Sequence, residues 1–156
     1  MRLAKGFVRF ALVVTAMSLL GLYAEAQEKQ VKKKQVPPAV IAAFNSAYPQ
    51  ATVRGYAREK ENGKTYYEVE SMDGQTTRDI LYNPDGTVAE IEEGIPVGDL
   101  PADARAAMAA KYPNAVITKA EKITRGDITE YEAHGRSGKK GVSMEFDASG
   151  KPLKKG

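Results

Sequence analysis

The 156-residue sequence has no cysteine, no tryptophan and a single histidine, His134. Without cysteine there is no disulfide framework, no thiol nucleophile and no thiolate metal site. One histidine cannot build a multi-histidine centre, and His134 reads as a strand-surface residue. Ser137 and Ser143 lack an aspartate and histidine at a spacing that would put a base beside a nucleophile. Long apolar runs are scarce too. Phe10 to Tyr23 (FALVVTAMSLLGLY) is shorter than the roughly 20 residues that span a bilayer. It follows Arg2, Lys5 and Arg9 and precedes Ala24-Glu25-Ala26, the order of a secretory signal peptide cleaved after Ala26. No cysteine follows the run, which excludes a lipoprotein. The expected product is periplasmic or secreted, with no stable membrane anchoring after cleavage.

Removing residues 1–26 changes the meaning of the net charge of +3. Four lysines lie in QEKQVKKKQ, residues 27–35, which reads as a lysine-rich linker. Residues 36–156 carry 16 basic and 18 acidic groups. A nucleic-acid binder shows a basic face with interleaved aromatics, so no nucleic-acid partner is expected.

What is present is a phrase written twice. YPQATV at 48–53 returns as YPNAVI at 112–117, an offset of 64 residues. The same offset pairs Pro37 with Pro101, Tyr67-Glu68 with Tyr131-Glu132, and Gly86 with Gly150, without a gap. The chain therefore reads as one unit used twice, with a first repeat at 36–93, a linker at 94–100 and a second repeat at 101–156.

Each repeat opens on a helix. Val40, Ile41, Phe44 and Tyr48 form one apolar stripe, and Ala104, Met108 and Tyr112 repeat it. Proline suits the first helical turn, and the residue before proline is pushed out of helical geometry, so Tyr48-Pro49 and Tyr112-Pro113 are stops. Then the period changes to two. ATVRGYARE, TYYEVES, TTRDILY and TVAEIEE are separated by Asn-Gly, Asp-Gly and Pro-Asp-Gly turns, the pattern of an antiparallel meander. The second copy runs AVITKAEKI, ITEYEAH and KGVSMEF, with Pro152 weakening a fourth strand.

The fold class is α+β: two tandem repeats, each one helix on a four-stranded antiparallel sheet, together one larger sheet with an open face. Alternation assigns Tyr67, Val69, Ile80, Tyr82, Tyr131, Ala133, Met144 and Phe146 to the helix side. The open face is expected to carry Arg54, Tyr56, Arg58, Tyr66, Glu68 and Glu70, the candidate binding residues. Asp79 and Leu81 join them, and Thr118, Lys122, Glu130, Glu132, His134, Ser143 and Glu145 follow in the second copy.

A helix ending in YP, followed by YYEVESMDG and ILYNPDGTV, resembles the PepSY-like family in its tandem, β-lactamase-inhibitor-like form. The resemblance implies a helix on a four-stranded sheet per repeat, an open sheet face, and binding or inhibition of exported enzymes. It carries over no particular binding residue.

Glu68 with Glu70, and Glu130 with Glu132, are same-side pairs that read as charge on a solvated strand. Asn83, Asp85, Gly86 and Glu92 have partial EF-hand spacing, but Leu81 stands at the first ligand position, so a hairpin explains the stretch. Arg125-Gly126-Asp127 falls where the first copy has its Glu-Asn-Gly turn. No catalytic residues, cofactor or metal ligands are expected. The sequence reads as a non-enzymatic exported binding module, an inhibitor or regulator of another exported protein, with a periplasmic small-molecule or ion-binding protein as the alternative.

Overall fold

The structure, a computed structural model, describes residues 27–153, so the signal-peptide expectation lies outside the described residues. Eight strands form one antiparallel sheet: β1 (Gln27–Gln30), β2 (Thr52–Glu61), β3 (Lys64–Asp73), β4 (Thr76–Tyr82), β5 (Val88–Ile95), β6 (Ala115–Arg125), β7 (Ile128–Ser137) and β8 (Lys140–Asp147). Their order across the sheet is their order in the chain. Two helices, α1 (Pro38–Ala47) and α2 (Ala102–Lys111), precede β2 and β6. Both begin after a proline and end at the tyrosine of a Tyr-Pro pair.

The core obeys the 64-residue offset position by position. Val36, Val40 and Phe44 pack with Val69, Ile80 and Tyr82. Leu100, Ala104 and Met108 pack with Ala133, Met144 and Phe146. Ile91 belongs to the first cluster and Ile95 to the second. These residues are four apart on β5 and so on one side of the strand, which places both helices on the same face of the sheet.

Gly86 and Gly150 anchor the same turn in each copy, with φ of +88° and +89°. A Cβ on Gly86 would lie 2.7 Å from the Ala39 carbonyl oxygen, and one on Gly150 2.7 Å from the Ala104 amide nitrogen. Only glycine lets the hairpin close against the start of its helix.

Three expectations change. The 27–35 linker contains β1, which pairs with β2 from Gln27↔Lys60 to Gln30↔Ala57. Main-chain pairing needs no apolar alternation, and a short charged strand suits a sheet edge. The linker at 94–100 is shortened as well, because β5 continues to Ile95 and Val97–Asp99 forms a 3₁₀ turn. Finally, the first repeat holds four strands, β2 to β5, but the second holds only three, β6 to β8. The second copy's last segment makes only a bridge between Phe146 and Pro152, where proline has no N–H to extend a ladder.

The offset also supplies a stability test. The Tyr82 hydroxyl is buried without a hydrogen-bond partner, and burial pushes its pKa up to about 12. The equivalent residue in the second copy is Phe146, the same ring without the hydroxyl. Tyr82→Phe is therefore expected to stabilise the protein by about 1 kcal/mol, measured by urea denaturation. A loss of stability would reveal a partner for the hydroxyl.

Candidate functional site: the helix-free face of the sheet

Among the described residues, no helix packs on the other face of the sheet. Its composition follows from the register. Val69 is in the core, so its neighbours Glu68 and Glu70 point away from the helices. Glu68 lies opposite Leu81, and Glu70 opposite Asp79. Leu81 and Asp79 in turn face Glu90 and Glu92. Glu92 faces Ile123, and Gly94 faces Glu121. Glu121 and Ile123 face Glu132 and Glu130.

Of the six candidate binding residues, the structure keeps Arg54, Tyr66, Glu68 and Glu70 on this face. It moves Tyr56 and Arg58 to the helix side. The cause is a β-bulge in β2 between Val53 and Gly55. An extra residue shifts the alternation by one, so every later side chain changes face. Tyr56 lies opposite Val69 and packs against the first core, and Arg58 lies opposite Tyr67. The second copy repeats the bulge between Ile117 and Lys119. Lys122 accordingly faces Tyr131, on the helix side. Arg54 reaches Met72 across the bulge, 3.6 Å from Nη1 to Sδ.

The carboxylates are not the solvated charges that their spacing suggests. Glu59 and Glu121 are 3% exposed, Glu92 5% and Glu68 7%. Small residues let side chains lie flat over the strands: the Glu70 carboxyl group lies 2.9 Å from where a Gly55 Cβ would stand. Burial, and then repulsion from Asp79 and Glu59, pushes Glu68 up to about 9. Burial raises Glu59 as well, partly offset by its hydrogen bond with Glu68. Asp79 is raised to about 6 by burial and by Glu70. Glu92 rises to about 10 through burial, a hydrogen bond shared with Glu90, and repulsion from Glu90, Glu121 and Asp79.

Cations answer part of this charge. Arg125 bonds both Glu90 and Glu130, which takes it out of an exposed Arg-Gly-Asp turn. Lys119 Nζ is 2.7 Å from Glu121, and His134 Nε2 is 3.3 Å from both Glu121 and Glu132. Hydrogen bonds to Glu121 and Glu132 raise His134 to about 9 against the opposing effect of burial, so it is an imidazolium at neutral pH. Burial works to raise Glu121, but its bonds to His134 and Lys119 prevail and hold it below the ordinary carboxylate range. His134 is thus an ion-pairing residue rather than a bare surface histidine.

A family model described as "Putative beta-lactamase-inhibitor-like, PepSY-like" matches residues 22–70 and 65–154. The chain belongs to the PepSY-like family. The PepSY-like chain is also similar in fold to a solved "putative periplasmic" protein of Bacteroides eggerthii, with a TM-score of 0.61 at 18% identity over 76% of this chain and 86% of the other. A BLIP-like protein of Bacteroides fragilis gives a TM-score of 0.56 at 19% identity, over 77% and 85% of the two chains. A DUF2874 family protein of Bacteroides uniformis gives 0.60 at 15% identity, over 76% and 86%. No curated protein matches the sequence. No described helix of this PepSY-like protein is long and apolar enough to cross a membrane.

Proposed function

We propose that the protein is an exported, periplasmic, non-enzymatic binding module that holds another exported protein against the helix-free face of its sheet. The observation that carries this reading is the face itself: eight strands, roughly 30–35 Å across at the usual strand spacing, with no described element packed on it. Its chemistry selects the partner. Glutamates and Asp79 dominate, while Tyr66, Met72 and Arg54 stay partly or fully exposed on the first copy. Its deep glutamates are protonated or already paired with Arg125, Lys119 and His134, so the accessible contacts are Tyr66, Met72, Arg54 and Glu70, and a partner with an apolar centre ringed by polar groups complements them, with tyrosine and arginine as anchors. The signal-peptide pattern and the similarity to a solved BLIP-like protein support the same reading.

The test is affinity capture from a periplasmic extract, followed by measured affinities for the purified partner. An Arg54→Ala/Tyr66→Ala double variant is expected to bind at least tenfold more weakly, with an unchanged melting temperature. Full affinity in the folded double variant would remove this face of the first copy as the binding site.

A further inference from the structure

The seam between the two copies, where β5 meets β6, holds more than a ladder. We propose that Asp79, Glu92 and Glu121 form a divalent-cation site, suited to Ca²⁺, that ties the first repeat to the second. One carboxylate oxygen from each of the three residues lies within 4.8 Å of the other two. They come from three successive strands, β4, β5 and β6. Asp79 and Glu92 are direct ladder partners, and Glu121 faces Gly94, where no side chain separates it from Glu92.

A cluster of acids alone is common on sheets, and the decisive feature here is Glu92. It is 5% exposed, and its Oε2 is a buried oxygen with no hydrogen-bond partner. A buried carboxylate in that state needs a proton or a cation. No cation of the face is bonded to Glu92: Arg125 holds Glu90 and Glu130, while Lys119 and His134 sit on the far member of the cluster, Glu121. Lys119 is half exposed and can turn out to solvent when an ion takes its place on Glu121.

The donor set selects the ion. Three hard oxygens with no sulfur and no neutral imidazole favour Ca²⁺, Mg²⁺ or Mn²⁺ over zinc or copper. Ca²⁺ binds oxygens at about 2.3–2.6 Å, so ligands on opposite sides of it stand up to about 5 Å apart. The cluster fits within that span, and Ca²⁺ accepts flexible geometry where Mg²⁺ demands near-ideal octahedral ligands. Water supplies the remaining ligands. Three carboxylates and an internal lysine competitor give an affinity in the range of extracellular calcium modules, on the order of 10⁻⁴–10⁻³ M. The neighbouring group of Glu121, Glu132 and His134 is the poorer candidate, because a protonated imidazole is a donor and not a ligand.

The experiment is thermal unfolding and calorimetric titration of the purified protein at pH 7.5, first chelated and then supplied with CaCl₂. The melting temperature is expected to rise with Ca²⁺. A tenfold excess over Kd increases the folding constant about elevenfold. Glu92→Gln is expected to fold and to lose the Ca²⁺-dependent rise, and Asp79→Asn to weaken binding at least tenfold. Glu68→Gln, an equally buried acid outside the cluster, is expected to keep the response. The proposal is overturned if wild type responds no more to CaCl₂ than to NaCl of equal ionic strength. It is also overturned if Glu92→Gln responds like wild type, or if Glu68→Gln loses the response equally.

Discussion

Truncating Phe146 to alanine is expected to destabilise the protein by about 3–5 kcal/mol, the usual cost of emptying a large aromatic site in a core. Phe146 is fully buried, in one cluster with Leu100, Ala104, Met108 and Met144. Much of the rest of that cluster is small, since Ala104, Ala120 and Ala133 stand where the first copy has Val40, Tyr56 and Val69. Little apolar bulk is therefore available to collapse into the cavity. A typical domain is stable by only about 5–15 kcal/mol, so one substitution removes a large share. Urea denaturation measures the loss, and a loss below about 1 kcal/mol would show that α2 does not rest on β8 as described.

The second large effect is on pH. Glu68 and Glu92 hold their protons to about 9 and 10, and Asp79 to about 6, against ordinary values of 4.5 and 3.8. The folded state thus binds protons that the unfolded chain releases. Their contribution is fully present below about pH 4 and is lost as pH rises, by about pH 6 for Asp79 and by about pH 9–10 for the two glutamates. His134, raised from 6.5 to about 9, has the same sign, its contribution fading between those values. Glu121, Asp85 and Asp147 are held low and act oppositely, losing their contribution only as pH falls through the acid range. The melting temperature is expected to be higher at pH 5 than at pH 9, and Glu68→Gln should flatten the profile. A protein more stable at pH 9 than at pH 5 would contradict the buried-acid description.

Much of the architecture was legible because periodicity is a local property. The helix stops at Tyr-Pro and the turn glycines concern residues near one another in the chain, the 64-residue offset sets one such local pattern beside its copy, and the core clusters follow them. The phase of β2 was not legible by counting twos, although Gly55 inside a strand pattern is a bulge signal that strict alternation overrode. The strand β1 was missed because Gln-Glu-Lys-Gln has no apolar face to announce it. The acidic seam was hidden for a different reason. Asp79, Glu92 and Glu121 meet only when the strand register is known, and read singly each looks like ordinary solvated charge.

The order of the strands has a kinetic consequence. Because each strand pairs only with its neighbours in the chain, most pairings close short turns, and the two that do not, β1 with β2 and β5 with β6, close over a helix, which favours rapid folding for so sheet-rich a protein. The first core draws on residues no later than Ile91. During delivery from the N-terminus, that core can close while the second half is still emerging. A half of this size is marginal alone. It is held once β6 docks on β5, which makes this one strand pairing the committing step of the whole molecule.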